Sequence, residues 1–145
     1  MISHAWTVIC DKSIIDRETN NISLYVLEEI SIISPPREPG AIIQVAIQIS
    51  IVSLWYRTDH DQPARSQTRI SLISPDKTTI ASMDSEIDLD TYYRARTIGI
   101  INGLPVEESG RYYFRVELLK NEQWEQVACV PLQVIIVPEG QEPST

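Results

Sequence analysis

Apolar and polar residues alternate with a period of two through the middle of the chain. In residues 43–55 the odd positions are mainly β-branched or aromatic, whereas the even positions are milder and include two glutamines. Because successive side chains of a strand point to opposite faces, this pattern predicts a strand with one face in the core. The run exceeds a typical strand of about 5–6 residues, so we expect a strong bend or a bulge near Ser50 to Ser53.

The same alternation recurs in two later segments that should complete the core. In residues 112–118 and 128–136 the even positions are apolar. Segment 22–33 has some helix-compatible spacing, but its β-branched residues favour a strand. The shorter strand candidates are residues 5–10, 22–33, 68–73, 78–83 and 93–101.

Turn signals separate these segments and define the domain. Pro, Asn-Gly and Asp-containing stretches predict turns, and they occupy residues 34–40, 74–77, 102–105 and 120–123. The polar residues 57–67 predict an exposed loop. About eight short strands at this spacing predict one all-β domain over residues 1–138, an antiparallel sandwich of seven to nine strands. The polar, Pro- and Gly-containing residues 139–145 predict a flexible C-terminal tail.

Composition narrows the classes of function. The chain has 145 residues, of which 43% are hydrophobic and 22% charged, so it can bury a self-sufficient core. No apolar run approaches the roughly 18 residues of a membrane helix, and the N-terminus lacks the features of a signal peptide, so we expect a cytoplasmic protein. The formal net charge of −8 disfavours nucleic acid and anionic membranes as partners. Arg94 and Arg96 lie on the same side of a predicted strand, and a solvated strand face is a more favoured interpretation of this pair than a nucleic-acid site.

One short stretch carries a specific resemblance. The segment "EESGRYYFRVEL", residues 107–118, resembles the immunoglobulin-type pattern of an acidic residue, Ser or Ala, Gly, any residue, Tyr, any residue and Cys. The resemblance implies an immunoglobulin-like β-sandwich in which Tyr112 bonds back to the upstream backbone and pins a corner between sheets. It also implies that Gly110 gives the tight approach before the strand, and that Trp55 is the core tryptophan. Phe114 stands at the cysteine position, which removes the inter-sheet disulfide.

The chain as a whole also resembles a family of short uncharacterised bacterial proteins, known as a domain of unknown function. The resemblance lies in "VICD", "ETNNISLYVLEEI", "RISLISPDK", "GLPVEESGRYYFRVEL" and "VPLQVIIV". It implies a cytoplasmic bacterial protein. It implies no activity.

An acidic alternation near the middle of the chain raises the question of calcium. The carboxylates of this segment share one side of an extended chain, and they belong to Asp84, Glu86, Asp88 and Asp90. A strand spaces such groups roughly 6.5–7 Å apart, too far for one ion unless the chain turns. A solvated sheet edge protected by negative charge is the favoured interpretation, and a calcium site is the alternative.

The histidines and cysteines of the sequence give little support for a zinc site or for a catalytic cysteine. Asp59-His60-Asp61 could contribute ligands to zinc, but His4 is the only other histidine, so a surface loop is favoured. Cys10 lacks a clear activating base and is interpreted as a buried hydrophobe. Cys10 and Cys129 could pair, although the missing signal peptide favours free buried thiols.

The sequence therefore predicts a non-enzymatic protein-interaction or structural module with no cofactor. No catalytic motif rises above background, and exposed edge strands are the expected contact surface for a protein partner or a second copy. Two alternatives stay open, a ligand-binding module for carbohydrate or calcium and a divergent enzyme without a recognisable motif. The aromatic residues that could form a carbohydrate platform are Trp6, Trp124, Tyr92 and Tyr93.

Overall fold

A computed structural model describes residues 1–59 and 62–140. Within these residues the chain forms nine strands in two sheets and no helix, which confirms the all-β prediction. No helix there is long and apolar enough to cross a membrane. In chain order the strands are β1 (Ile2–Ile15), β2 (Ile22–Val26), β3 (Glu29–Ser34), β4 (Ile43–Arg57), β5 (Ala64–Ile73), β6 (Thr79–Leu89), β7 (Arg94–Val106), β8 (Gly110–Lys120) and β9 (Gln123–Pro138).

The two sheets differ in strand direction. The four-stranded sheet has the order β2-β1-β4-β7 and is antiparallel throughout. The five-stranded sheet has the order β3-β9-β8-β5-β6, and its β3–β9 pair is parallel. The prediction of a purely antiparallel sandwich is therefore wrong for this pair. The reason is that Leu27 and Glu28 carry the chain from the edge of one sheet to the edge of the other, beside the last strand.

Two details of β4 and β7 differ from the prediction. The Asn-Gly pair at Asn102 and Gly103 lies inside β7 instead of forming a turn. Gly103 has a φ of 87°, and the register of the β4–β7 pair shifts between Val45 and Gln48, so Ala46 and Ile47 form a bulge on β4 opposite the glycine. The irregularity that was expected near Ser50 to Ser53 is thus displaced towards the start of β4.

The predicted connections are partly confirmed. Asn121 and Glu122 both have positive φ and join β8 to β9 as a two-residue turn of the kind that suits a hairpin. The segment 57–67 contributes only its middle to a loop, because β4 runs to Arg57 and β5 begins at Ala64. At the C-terminus the amide of Glu139 donates to the carbonyl oxygen of Ser34 at 2.9 Å. The remaining tail, residues 141–145, lies outside the described residues.

The core lies between the sheets, and its largest fully buried side chains are Trp55, Tyr112 and Phe114. On β8 the even positions from Tyr112 to Leu118 are buried and the odd positions between them are partly exposed, as the alternation predicts. On β4 the outward-facing Val52 is fully buried as well. The β1–β2 hairpin bends over this outer face, since Arg96 on β7 donates to the carbonyl oxygen of Asn20 at 2.8 Å.

Candidate interaction surface

The corner between the two sheets is built around Tyr112. Its hydroxyl donates to the carbonyl oxygen of Glu108 at 3.1 Å, and the residue is only 1% exposed. Burial raises the pKa of this hydroxyl, so it remains a protonated donor. The hydroxyl of Ser109 accepts the amide of Ile136 at 2.9 Å and ties the corner to β9.

Gly110 begins β8 at a position that excludes a side chain. Its φ is 148°, a conformation that residues with a Cβ rarely adopt. A Cβ atom here would lie 2.9 Å from Cγ of Pro75, closer than real Cβ contacts. Both backbone conformation and space therefore require glycine at this corner.

Trp55 and Phe114 fill the core, but only Phe114 lies beside the corner, because Trp55 pairs with Ala95 at the start of β7 and the corner follows the end of that strand. Both side chains are fully buried, on β4 and β8 respectively. The indole Nε1 of Trp55 donates to Oγ1 of Thr97 at 2.9 Å, and the ring of His4 meets the indole edge-on at 5.1 Å. The one polar atom of the indole is thus satisfied inside the core.

Replacement of Tyr112 by phenylalanine should lower the free energy of unfolding by about 1 kcal/mol, because it removes one buried hydrogen bond and leaves the Glu108 carbonyl without that donor. Urea unfolding followed by circular dichroism measures the change. Tyr113→Phe is the matched control, since the neighbouring ring is only partly buried and faces outward. Equal stability of wild type and Tyr112→Phe would show that the corner bond adds nothing.

A partly buried chain of polar groups lies on the four-stranded sheet, and the sequence pattern gives no sign of it. His4 Nε2 lies 2.7 Å from Oγ1 of Thr7, which lies 2.8 Å from Oγ of Ser53. The arrangement resembles a base next to a hydroxyl nucleophile, but Ser53 is fully buried and no substrate can reach it. Burial lowers the pKa of His4, which keeps the ring neutral. These contacts therefore serve packing.

The two cysteines are free and lie in different sheets. Cys10 is buried, and burial together with the Asp11 carboxylate raises the pKa of its thiol. An activated nucleophile needs the opposite shift, so Cys10 behaves as the expected small hydrophobe. The expectation of a buried thiol is wrong for Cys129, because this residue faces outward on β9, opposite Arg115.

The carboxylates of β6 are paired with arginines of β5. Arg69 lies 2.8 Å from Asp84 and holds the pKa of that carboxyl below its usual value, and Arg65 contacts both Asp88 and Asp90. These pairs spread along the strand, and Glu86 lies between them. In the part of the chain that the structure describes, no three His, Cys, Asp or Glu residues converge as metal ligands. Of the segment 59–61, which the sequence favours as a surface loop over a zinc site, His60 and Asp61 lie outside the described residues.

The aromatic residues do not gather into one platform of tryptophans. Trp124 lies under the guanidinium of Arg69 at 4.2 Å on the five-stranded sheet, whereas Trp6 is partly buried on the other sheet. Tyr92 and Tyr93 are exposed side by side in the β6–β7 turn. A hollow of about 120 Å³ next to Tyr112 is smaller than the roughly 300 Å³ of typical ligand clefts, and four larger hollows of about 340–520 Å³ lie open at the surface.

Four strands form the edges of the two sheets, and they differ in how far they are guarded. β2 has 5 residues, and β3 has 6 and runs directly into two prolines. β6 has 11 residues and presents its row of carboxylates. Short length, proline and charge are the devices by which proteins prevent pairing at an edge. Three of the four edges are therefore protected.

The fourth edge, β7, carries such devices only near its ends, with Arg94 and Arg96 at its start and Pro105 near its end. It has 13 residues, and no charged residue occurs between positions 97 and 106. Ile98 is 39% exposed and Ile100 is 48% exposed, and they lie beside Val52 and Ser50 of β4 on the outer face. We call this strand with its two exposed isoleucines the β7 edge.

Two sequence comparisons with known proteins found no relative. No protein-family model matches the chain, and no curated protein matches its sequence.

Proposed function

We propose that the protein is a non-enzymatic interaction module and that its β7 edge pairs with a strand of another polypeptide chain. The observation that carries the proposal is the contrast between this long edge, which is uncharged from Thr97 to Val106, and the three guarded edges. A strand that joins a sheet edge gains backbone hydrogen bonds along its whole length. Alternate side chains then supply specificity.

The outer face next to the β7 edge fits such a partner. Ile98 and Ile100 project from the strand itself, and Tyr56 on β4 is 39% exposed on the same face. An added strand would cover the two isoleucines with its own side chains, because cross-strand neighbours on one face lie about 4.5–5.5 Å apart. Burial of apolar area and completion of the backbone ladder act together there.

For the fold we propose an immunoglobulin-like sandwich. The neighbours β9-β8-β5 follow the order of strands G, F and C of that fold, and β1-β4-β7 follow strands A, B and E. The tyrosine corner at the start of β8 supports the same assignment. One feature departs from it, because Trp55 lies on β4 in the strand B position, whereas immunoglobulin domains carry their tryptophan on strand C.

A reducing compartment such as the cytoplasm is part of the proposal. The supporting observation is that both thiols are free and that Cys129 is exposed, a state that oxidising compartments do not favour. The resemblance to short bacterial proteins of unknown function points to the same location and remains a prediction.

Lysine at position 100 should abolish capture of any partner while the protein remains folded. Ile100 is half exposed, so the longer side chain can extend into solvent, and an edge lysine opposes strand addition. The experiment compares proteins recovered from the native host by wild type, Ile100→Lys and the control Ile33→Lys, which places the same change on the β3 edge. Loss of partners with Ile33→Lys and their retention with Ile100→Lys would contradict the choice of edge.

A further inference from the structure

We infer that the strand which pairs with the β7 edge is β7 of a second copy, arranged antiparallel about a two-fold axis. The inference rests on the proposed function and names its partner. In such a dimer the two four-stranded sheets would join through their β7 strands into one sheet of eight, and an isologous pair of this kind closes on itself.

The charges at the two ends of the strand carry the inference. Arg94 begins β7 and is exposed, and Glu107 follows its last residue and is also exposed. The residues between positions 97 and 106 are uncharged. Antiparallel pairing of two copies brings the basic start of each strand to the acidic end of the other. Each copy therefore carries both of the opposite charges that the pairing needs. A parallel pair would place like charges together instead.

The exposed isoleucines fit the same two-fold arrangement. With the axis near Ile100, this residue faces its own copy, and Arg94 faces the end of the partner strand next to Glu107. Arg96 takes no part, because it already donates to both oxygens of Asn20 in the β1–β2 turn. The exposed isoleucines at the centre would therefore supply most of the affinity, and the charges at the two ends would fix the register of the pair.

Complementary charge reversals test the pairing directly by sedimentation equilibrium of the full chain. Arg94→Glu and Glu107→Arg should each weaken dimerisation by roughly tenfold, since each places like charges at both ends of the paired strands. A mixture of the two single variants should form a heterodimer with near wild-type affinity, and the double variant should dimerise by itself. The matched controls Arg111→Glu and Glu29→Arg change net charge equally at exposed positions outside β7.

The outcomes separate this inference from the proposed function. A wild type that stays monomeric up to about 1 mM overturns the self-pairing. So does a mixture of the two single variants that associates no better than either variant alone. If partners from the native host are still lost with Ile100→Lys, the β7 edge binds a different polypeptide and the proposed function stands. Melting temperatures of all variants identify any that fail to fold, and recovery by the double variant shows that weakening arises from charge.

Discussion

Replacement of Trp55 by alanine should lower the free energy of unfolding by about 3–5 kcal/mol. The side chain is fully buried on β4, a strand that is paired on both of its sides, so the sheets cannot easily collapse into the space. The same change also leaves Oγ1 of Thr97 without its indole donor. Since small domains are stable by only about 5–15 kcal/mol, the variant should be close to the limit of folding.

Urea unfolding followed by far-ultraviolet circular dichroism measures this change without dependence on tryptophan emission. Trp124→Ala is the matched control, because Trp124 lies partly exposed under Arg69 and should cost about 1 kcal/mol or less. Trp55→Phe separates the two causes, since it keeps most of the packing and loses the hydrogen bond. Equal losses for Trp55→Ala and Trp124→Ala would contradict the burial of Trp55 between the sheets.

The alternation of the sequence predicted the core correctly for strands that bury only one face. On β8 the side chains of Tyr112 and Phe114 point inward, and Tyr113 points outward, as the period of two requires. On β4 the pattern failed for Val52, which faces outward and is fully buried. Its burial coincides with a hairpin held by Arg96 and Asn20, and contacts between residues so far apart in the chain leave no mark on local periodicity.

A short sequence motif also cannot distinguish a turn from a bulge when both use the same backbone conformation. Asn102 and Gly103 suit a tight turn and a bulge equally, because both need positive φ at the glycine. The pairing of β7 with β4 runs through this position, and Gly103 lies opposite a bulge that Ala46 and Ile47 form on β4. Local sequence could not predict the parallel pairing of β3 with β9 either, because the paired residues are about a hundred positions apart in the chain.

The sequence predicted edge strands as the contact surface, but strand order was needed to choose among them. The carboxylates of β6 indicated a protected edge, and β6 does end the five-stranded sheet. The segment 93–101 gave no sign of being an edge, because Ile98 and Ile100 look like core residues in sequence. Only their position on β7, with a partner on one side, turns them into an exposed surface.

Gly110→Ala should destabilise the protein through two separate effects. Backbone strain at a φ of 148° should cost about 1–3 kcal/mol, because this region is suited to glycine. The contact with Pro75 should add about 1–3 kcal/mol, since the new methyl group would lie 2.9 Å from Cγ of the proline ring. The corner would have to shift, and the hydrogen bond from Tyr112 to Glu108 would shift with it.

A second substitution separates the two effects. Pro75→Ala removes Cγ of the ring but keeps Cβ, which would lie 3.0 Å from the new methyl group, so the double variant Gly110→Ala/Pro75→Ala should recover part of the packing loss and keep the backbone loss. Gly40→Ala is the control for strain alone, because Gly40 has a φ of 82° and its nearest contact would be 3.7 Å away. If the Pro75→Ala background gives no recovery in urea unfolding, the contact with Cγ of the proline ring adds nothing to the loss. Full recovery would mean that the strained φ costs nothing and that space alone excludes a side chain at the corner.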